Sequence, residues 1–233
     1  MDFIRSFLTE APSHRNKTGR PFVTLSYAQS LDGCISARAG EALRLSGRQS
    51  LTLTHQLRAG HDAILVGIGT VLSDDPRLNV RLVNGKSPKP IVVDSRLRLP
   101  LDCKLLNQNS HFPWIVAREE ADSARREAIE ASGAKVIVVP SNSRGQVNLT
   151  EMLRELGKRG INSLMVEGGS RIITNFLLDQ LVDYLVLTVA PVLVGGLRAV
   201  SDLGQSDPAR FPRLRNAGHQ WLGEDLILWG ALA

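Results

Sequence analysis

Short apolar runs rich in β-branched residues recur along the chain, with helical patterns between several of them. The runs cover residues 22–28, 63–67, 90–95, 114–117, 135–140 and 163–169. A continuous apolar run is typical of a strand that is buried on both faces. Because such strands alternate here with helices, the sequence predicts an α/β fold with a mainly parallel sheet covered on both faces.

Four helices are predicted from apolar spacing and from residues that favour helix ends. The first begins at a capping box of Ser46 and Gln49, runs to about Ala59 and is closed by Gly60. The others cover residues 119–133, 149–160 (with Thr150 as N-cap) and 172–181. Residues 182–193 and 219–232 have no long helical pattern between them, which predicts antiparallel strands at one edge of the sheet.

The first twenty residues differ from the rest of the chain. Residues 3–8 predict one or two amphipathic helical turns, and residues 12–20 are polar and indicate a tether. We therefore predict an N-terminal arm, residues 1–20, and a single domain, residues 21–233. The N-terminus is too short and too mixed for a signal peptide, and no window reaches membrane-spanning length, so we expect a cytoplasmic protein without a membrane partner.

Composition and charge narrow the class of ligand. The 233 residues are 43% hydrophobic and 22% charged, which is ordinary for a globular protein, and the formal net charge of +5 favours anionic partners. Aromatic residues make up only 5%, and the basic residues form no long run, so we expect phosphorylated small molecules and no nucleic acid. Cys34 and Cys103 are far apart and no histidine cluster is present, so no metal site is predicted.

Two glycine-containing segments follow predicted strands. In the first, residues 67–70, Gly69 and Thr70 would let backbone N–H groups approach a phosphate, although two glycines after a strand also make a simple tight turn. Leu72 replaces the third glycine of a Rossmann fingerprint. In the second, Glu167 precedes two glycines and a predicted helix, an arrangement suited to a pyrophosphate, while the alternative role of Glu167 is to cap that helix.

Three polar segments complete the set of candidates. Asp74 and Asp75 precede Pro76, a pattern that serves metal binding or proton transfer or, more simply, a turn. Asp32 follows the first strand in ordinary turn chemistry, and Ser95 with Arg96 follows another strand, where they would receive a ribose 2′-phosphate. Four of these five segments lie at the ends of predicted strands, which is the edge where open α/β sheets bind ligands.

The chain resembles the pyrimidine reductase family of riboflavin biosynthesis from about Arg20 to its C-terminus. This family comprises the bacterial RibD carboxyl-terminal reductase domain and free-standing fungal and archaeal relatives. Five segments carry the resemblance: SLDGCIS, LRAGHDAILVGIGTVLSDDPRLNVR, PIVVDSRLRLP, LMVEGG and LVDYLVLTVAPVLVGG. The resemblance implies a three-layer α/β/α dihydrofolate-reductase-like fold, NADPH as cofactor and a homodimer.

The resemblance also implies the reaction and the site. A phosphoribosylamino-pyrimidine would be reduced to its ribitylamino product, by hydride transfer to C1′ of the opened sugar. The implied substrate-binding residues are Arg58, Leu78, Arg81 and Glu167. The implied cofactor-binding residues are Ala28, Arg44, Gly69, Thr70, Asp74, Ser95, Gly168, Gly169, Ser170, Arg171, Ile172, Ile173, Thr174 and Asn175. Asp32 and Glu167 are the candidate catalytic residues.

Departures from the bacterial pattern leave the substrate open. Ala42 and Arg44 stand where the fused bacterial enzymes have Ser and Trp, and no deaminase zinc signature is present. The substrate is then either the deaminated 5-amino uracil compound or the 2,5-diamino-pyrimidinone compound. Two other classes remain: an NADPH-dependent reductase of another pterin-like or aminopyrimidine substrate, and a non-catalytic NADPH-binding module.

Overall fold

A computed structural model describes residues 2–107 and 112–232, with the side chains of residues 2, 3 and 5 excepted. The end residues of the predicted arm and domain, Met1 and Ala233, lie outside this range. The described residues form a nine-stranded sheet and a separate two-stranded sheet. The strands are β1 (Phe22–Ser30), β2 (Cys34–Ser36), β3 (Ala63–Gly67), β4 (Lys89–Val93), β5 (Trp114–Arg118), β6 (Lys135–Val139), β7 (Ser163–Gly168), β8 (Tyr184–Ala190), β9 (Leu197–Arg198), β10 (Leu214–Leu222) and β11 (Asp225–Leu232).

The large sheet has the order β10-β11-β8-β1-β7-β3-β4-β5-β6. From β8 to β6 in this order every adjacent pair of strands is parallel, whereas β11 pairs antiparallel with both of its neighbours, β8 and β10. The predicted parallel sheet with an antiparallel C-terminal edge is therefore confirmed. The small sheet of β2 and β9 was not predicted, because strands of three and two residues carry no clear period.

Helices cover both faces of the large sheet. In chain order they are α1 (Asp2–Leu8), α2 (Ala11–Thr18), α3 (Arg48–Gly60), α4 (Ile68–Asp74), α5 (Ser123–Ala131), α6 (Leu149–Lys158) and α7 (Ser170–Leu178), followed by a 3₁₀ turn at Pro208–Arg210. On one face, the buried side chains of α6 and α7 pack on alternate residues of β1, β3 and β7. On the other face, α1 and α3 cover β7, β8 and β11, and α5 covers β3 to β6.

Helix ends differ in detail from the predictions. The predicted capping box of Ser46 and Gln49 is wrong, because α3 begins after Gly47 and has no side-chain cap; the Gly47 N–H is bound instead by the Asp225 carboxylate at 2.8 Å. Thr150 is also not an N-cap. Asn148 takes that place, since its Oδ1 accepts from the N–H groups of Thr150 and Glu151.

The prediction of a tether for residues 12–20 is wrong, because residues Ala11–Thr18 form α2. Pro12 is compatible with a first helical turn, and Gly19 ends the helix in the left-handed conformation, at φ 74°. The helix has a polar sequence because only Ala11 is buried. Arg15 still ties it to the domain by donating to the Gly157 carbonyl at 3.0 Å.

Candidate functional site

The carboxyl ends of four neighbouring parallel strands meet at one edge of the sheet. The strands β1, β7, β3 and β4 are adjacent in that order. Asp32 follows β1, Glu167 is the penultimate residue of β7, and Gly67 and Asp94 mark the ends of β3 and β4. The sequence segments that we selected one by one are therefore brought to a common edge, which is where open α/β sheets bind ligands.

Glu167 forms a bidentate ion pair with Arg58 of α3. The Arg58 Nε and Nη2 atoms donate to the two carboxylate oxygens at 2.7 and 2.8 Å. Burial by itself lowers the pKa of Arg58, but the charge and hydrogen bonds of Glu167 outweigh it, so the pKa of the guanidinium lies above its ordinary value. The pair places a fixed positive group and a fixed carboxylate between β7 and α3.

The segment from Leu78 to Arg81 is held against this ion pair. Leu78 is buried and has a positive φ of 50°. The Asn79 carbonyl accepts from Arg58 Nη1 at 3.2 Å, and the Val80 N–H donates to the Ser87 hydroxyl at 3.0 Å. The four predicted substrate-binding residues, Arg58, Leu78, Arg81 and Glu167, are thereby brought into one region.

The backbone of Arg81 is bound by a histidine that the sequence reasoning missed. His55 of α3 is fully buried, and its Nδ1 accepts the Arg81 N–H at 3.1 Å. Burial, followed by the charges of Arg58 and Arg81, lowers the pKa of His55 to about 4, while Glu167 acts in the opposite direction. The imidazole is therefore neutral at neutral pH. Its position three residues before Arg58 on a helix was the available signal.

The Arg81 side chain is exposed, so its positive charge lies at the surface of the site. Its Nη1 donates to Asn79 Oδ1 at 3.3 Å. Burial, then the charges of Arg58 and Arg77, lowers the pKa of Arg81, against a smaller opposing effect of Glu167. Three guanidinium groups thus influence one another here, which favours an anionic ligand.

Thr70 and Gly169 face each other across the ends of β3 and β7. A Cβ atom built on Gly169 would lie 3.3 Å from Thr70 Oγ1, so a side chain at this position would fill the gap between them. The expected loop at residues 67–70 is the start of helix α4 instead, and a Cβ on Gly69 would meet nothing within 4 Å. Of the two glycines in this segment, Gly67 is the one that the packing requires, since its Cβ would lie 2.7 Å from Ile172 of α7.

Helix α7 presents its N-terminus at this edge. Gly168 has a φ of 120° and is joined to Gly169 by a cis peptide bond, and α7 begins at Ser170. Arg171 is exposed, whereas the side chains of Ile172, Ile173 and Thr174 are buried in or against the core. Any cofactor contact from these three buried residues would therefore be made through their backbone.

Ser95 and Asn175 both contact the loop after β6, which the sequence reasoning did not select. The Ser95 hydroxyl accepts from the Val147 N–H at 3.1 Å, and Asn175 Nδ2 donates to Gln146 Oε1 at 3.5 Å. The loop borders a polar cleft with Arg144, Asn148 and Asn175 among its lining residues. Its composition, SNSRGQVN directly after a strand, was the signal that could have identified it.

Asp32 anchors a loop. Its two oxygens accept from the N–H groups of Val194 at 3.0 Å and Gly195 at 2.6 Å, and the Ser30 hydroxyl donates to it at 2.5 Å. The Ser30 bond and these two backbone bonds hold the pKa of Asp32 well below its usual range. A carboxylate that is charged at neutral pH is a poor proton donor, so these contacts give no support to the predicted catalytic role.

The remaining predicted residues are more scattered. Ala28 is half-buried on β1 and is in register with Thr188 of β8. Arg44 is exposed in a segment without regular structure, and Asp74 is the exposed last residue of α4. Asp75 ends that helix and accepts from the Lys104 N–H at 2.8 Å, as the turn interpretation of the two aspartates predicts.

Two kinds of feature are absent from the described residues. In residues 2–107 and 112–232, no group of three or more His, Cys, Asp and Glu side chains is arranged to hold a metal ion. In the same part of the chain, no helix has the length and apolar character needed to cross a membrane.

A family model for the RibD C-terminal domain matches residues 21–228. The chain belongs to this family. It is 35% identical to the riboflavin biosynthesis protein RibD of Actinobacillus pleuropneumoniae, over 92% of the chain but only 58% of that protein. It therefore spans less than two thirds of the length of this RibD relative. It is 38% identical to the 2,5-diamino-6-ribosylamino-4(3H)-pyrimidinone 5′-phosphate reductase of Methanothermobacter thermautotrophicus, over 90% of the chain and 97% of that protein.

Solved structures agree with this assignment to the RibD C-terminal family. The riboflavin biosynthesis reductase Rib7 of Saccharomyces cerevisiae has a TM-score of 0.74 at 29% identity, with 100% of both chains covered. A dihydrofolate reductase of Enterococcus faecalis has a TM-score of 0.52 at 12% identity, covering 92% of this chain and 97% of that one. The second likeness concerns the fold alone and confirms the predicted dihydrofolate-reductase-like architecture.

Proposed function

We propose that this chain is an NADPH-dependent reductase of a phosphoribosylamino-pyrimidine in riboflavin biosynthesis. The observation that carries the proposal is the bidentate Arg58–Glu167 pair, which lies at the sheet edge beside the segment of Leu78 to Arg81. A cationic group held rigidly beside a carboxylate suits a ligand with a phosphate at one end and a hydrogen-bonding base at the other.

The substrate phosphate is assigned to the arginines of the site. Arg81 is exposed and free of any carboxylate bond among the hydrogen bonds of the described residues, so its guanidinium is available for a phosphate. Arg58 keeps two of its donors on Glu167, which limits it to orienting the substrate and completing the positive field. Leu78 would contact the substrate through its backbone, because its side chain is buried.

We assign the dinucleotide to the segment that follows Glu167 and to Thr70, which faces Gly169. The gap between Gly169 and Thr70 is one that a Cβ would fill, and the N-terminus of α7 offers N–H groups to an anion. The segment from Gly168 to Asn175 would run along the phosphates of the cofactor. Ser170 and Arg171 would contact them with their side chains, and the other residues with their backbone. Thr70, Asp74, Ser95, Ala28 and Arg44 complete the proposed cofactor site.

NADPH, when bound, supplies the hydride. The reduction adds a hydride to C1′ of the ring-opened imine form of the sugar and a proton to the imine nitrogen. The chain's own residues bind and orient the two partners, and the Arg58–Glu167 pair fixes the substrate where C1′ can be reached. Glu167 is assigned to substrate contact, and Asp32 to the loop it anchors.

We further propose the undeaminated 2,5-diamino-pyrimidinone compound as the substrate. The relative from Methanothermobacter thermautotrophicus, which matches along 97% of its own length, is named for that compound. The chain spans only 58% of the RibD relative from Actinobacillus pleuropneumoniae. A homodimer and a cytoplasmic location are further proposals, which light scattering and cell fractionation would test.

The first experiment measures NADPH oxidation by the purified chain on both phosphoribosylamino-pyrimidines in parallel. We expect turnover with the undeaminated compound at a kcat/KM at least about tenfold above that with the deaminated one, a difference typical of one well-used polar contact. Faster turnover of the deaminated compound would reverse the substrate assignment. NADPH binding without turnover of either would indicate another pterin-like substrate or a non-catalytic module.

A further inference from the structure

His55 occupies an unusual position for a buried histidine. It lies three residues before Arg58 on α3, is fully buried, and accepts the Arg81 backbone N–H with Nδ1 at 3.1 Å. A second buried imidazole, that of His61, uses both ring nitrogens, on the Leu57 carbonyl at 2.6 Å and the Thr24 hydroxyl at 2.8 Å. His61 therefore resembles a satisfied structural residue.

His55 is not satisfied in the same way. Because Nδ1 accepts a hydrogen bond, the ring proton of the neutral form lies on Nε2. Nε2 is buried and finds no acceptor within the described part of the chain. A buried donor without an acceptor costs stability, so packing alone is a poor reason for a histidine here.

The hydrogen bond between His55 and the Arg81 N–H holds a segment that has no regular secondary structure. The segment of Leu78 to Arg81 has no helix or strand, and three bonds hold its backbone: Arg58 on the Asn79 carbonyl, Ser87 on the Val80 N–H and His55 on the Arg81 N–H. Of these three bonds, only the one to His55 is made by Arg81, whose side chain is exposed.

We propose that His55 is a positioning residue for substrate binding, which holds the Arg81 backbone so that its guanidinium meets the substrate phosphate. His55 does not contact the substrate itself, since its side chain is buried. Arg58 and His55 then act as a pair from one helix, the first on the Asn79 carbonyl and the second on the Arg81 N–H. The inference rests on the proposed function, in which Arg81 binds the phosphate.

Three substitutions separate the hydrogen bond from packing. In His55→Asn, the amide oxygen takes the place of Nδ1 and keeps an acceptor for the Arg81 N–H. In His55→Gln, the amide lies one bond further out, at the position of Nε2, and the acceptor is lost. In His55→Leu, the volume is kept without any polar atom.

The experiment measures KM for the phosphoribosylamino-pyrimidine, kcat and the NADPH dissociation constant for each variant. We expect His55→Leu and His55→Gln to raise KM about tenfold, the effect of one misplaced charged hydrogen bond, with kcat and NADPH affinity changed less than about twofold. His55→Asn should restore KM to within about threefold of the wild type. Equal losses in all three variants, or an equal loss of NADPH affinity, would overturn the proposal.

A double-mutant cycle tests whether the effect passes through Arg81. Arg81→Ala keeps the backbone N–H but removes the guanidinium, so His55→Leu should no longer raise KM in that background. Additive effects would show that His55 acts elsewhere and would refute the assignment.

Hydrogen exchange of the Arg81 amide gives a readout that needs no turnover. The amide should exchange at least about tenfold faster in His55→Leu than in the wild type or in His55→Asn. Unchanged exchange would exclude the positioning role even if the wild type reduces the substrate. If the Arg81 amide exchanges faster in His55→Leu but the wild type turns over neither compound, the positioning role of His55 is retained and the proposed function is rejected.

Discussion

Two bidentate arginine–carboxylate pairs with nearly the same donor–acceptor distances lie at opposite ends of the parallel strands. Arg20 donates from both Nη atoms to Asp183 at 2.7 Å, and Arg58 donates to Glu167 at 2.7 and 2.8 Å. The side chains of the first pair are 20% and 16% exposed and those of the second 10% and 17%, so burial does not distinguish them.

The two pairs differ in what else they hold. Asp183 also accepts the Val23 N–H at 2.7 Å, and Arg20 donates to the Pro21 carbonyl, so that pair ties the starts of β1 and β8 together. Arg58 instead extends to Asn79, in a segment beside the sheet edge where the carboxyl ends of four strands meet. We assign the Arg58–Glu167 pair to ligand binding because it lies where the carboxyl ends of the parallel strands meet, and not because it is the stronger pair.

The largest effect should come from removing the ligand-side arginine. Arg58→Ala leaves Glu167 unpaired and frees the Asn79 carbonyl, so kcat/KM should fall at least about 100-fold, or about 2.7 kcal/mol of transition-state stabilisation. Steady-state kinetics measures this, and Arg58→Lys should recover only part of the loss because an ammonium cannot bind a carboxylate in bidentate fashion. A variant with normal kcat/KM would remove the distinction between the pairs.

Arg20→Ala is the matched change in the Arg20–Asp183 pair, and it should lower the stability of the protein rather than its activity. It leaves the partly buried Asp183 without its guanidinium, which should lower the free energy of unfolding by about 2 to 3 kcal/mol. Denaturant titration measures this loss, and kcat/KM of the folded fraction should stay within about twofold of the wild type. A large drop in kcat/KM at unchanged stability would contradict a purely structural pair.

Substitution of two glycines compares a cofactor-binding position with a structural position while all charged groups are kept. Gly169→Val should weaken NADPH binding about tenfold, because the side chain enters the gap beside Thr70. Gly67→Ala should instead cost about 1 to 2 kcal/mol of stability, because its Cβ would lie 2.7 Å from Ile172. Fluorescence titration with NADPH and chemical unfolding on both variants would separate the roles; the reverse pattern would refute the assignment of Gly169 to the cofactor.

The smallest effect concerns pH and His61. Burial lowers its pKa from 6.5 to about 4, so between these values the unfolded chain binds more protons than the folded one. Stability is therefore lost as the pH falls, and His61 should account for about 1 kcal/mol between about pH 7 and about pH 5.5. Unfolding of the wild type and His61→Gln at both pH values measures this. An equal pH dependence in both proteins would show that His61 does not contribute.

The sequence predicted the elements better than the contacts between them. Continuous apolar runs such as residues 63–67 identify buried strands, because the pattern is local. The Arg58–Glu167 pair joins residues 109 positions apart, and only the strand order brings them together. His55 was missed for the same reason: a histidine on a helix has no visible partner until the segment of Arg81 is folded against it.

Local signals also misled where a tertiary contact decided the outcome. Residues 11–18 are polar, yet they form a helix because Gly19 can end it and the domain binds its side chains. Asp32 has the position of a catalytic carboxylate, but the loop at Val194 and Gly195 supplies donors that no local pattern around Asp32 contains.

The place of β7 in the sheet has a consequence for how the chain is made. This strand is inserted between β1 and β3, although it begins about 130 residues after the end of β1 and about 100 after the end of β3. A growing polypeptide that has not reached Gly168 must expose the unpaired edges of both older strands, which are apolar and prone to pair with other chains. Ligand binding is then expected only once synthesis has passed β7, and a ribosome stalled before this point would carry an aggregation-prone intermediate rather than a partial enzyme.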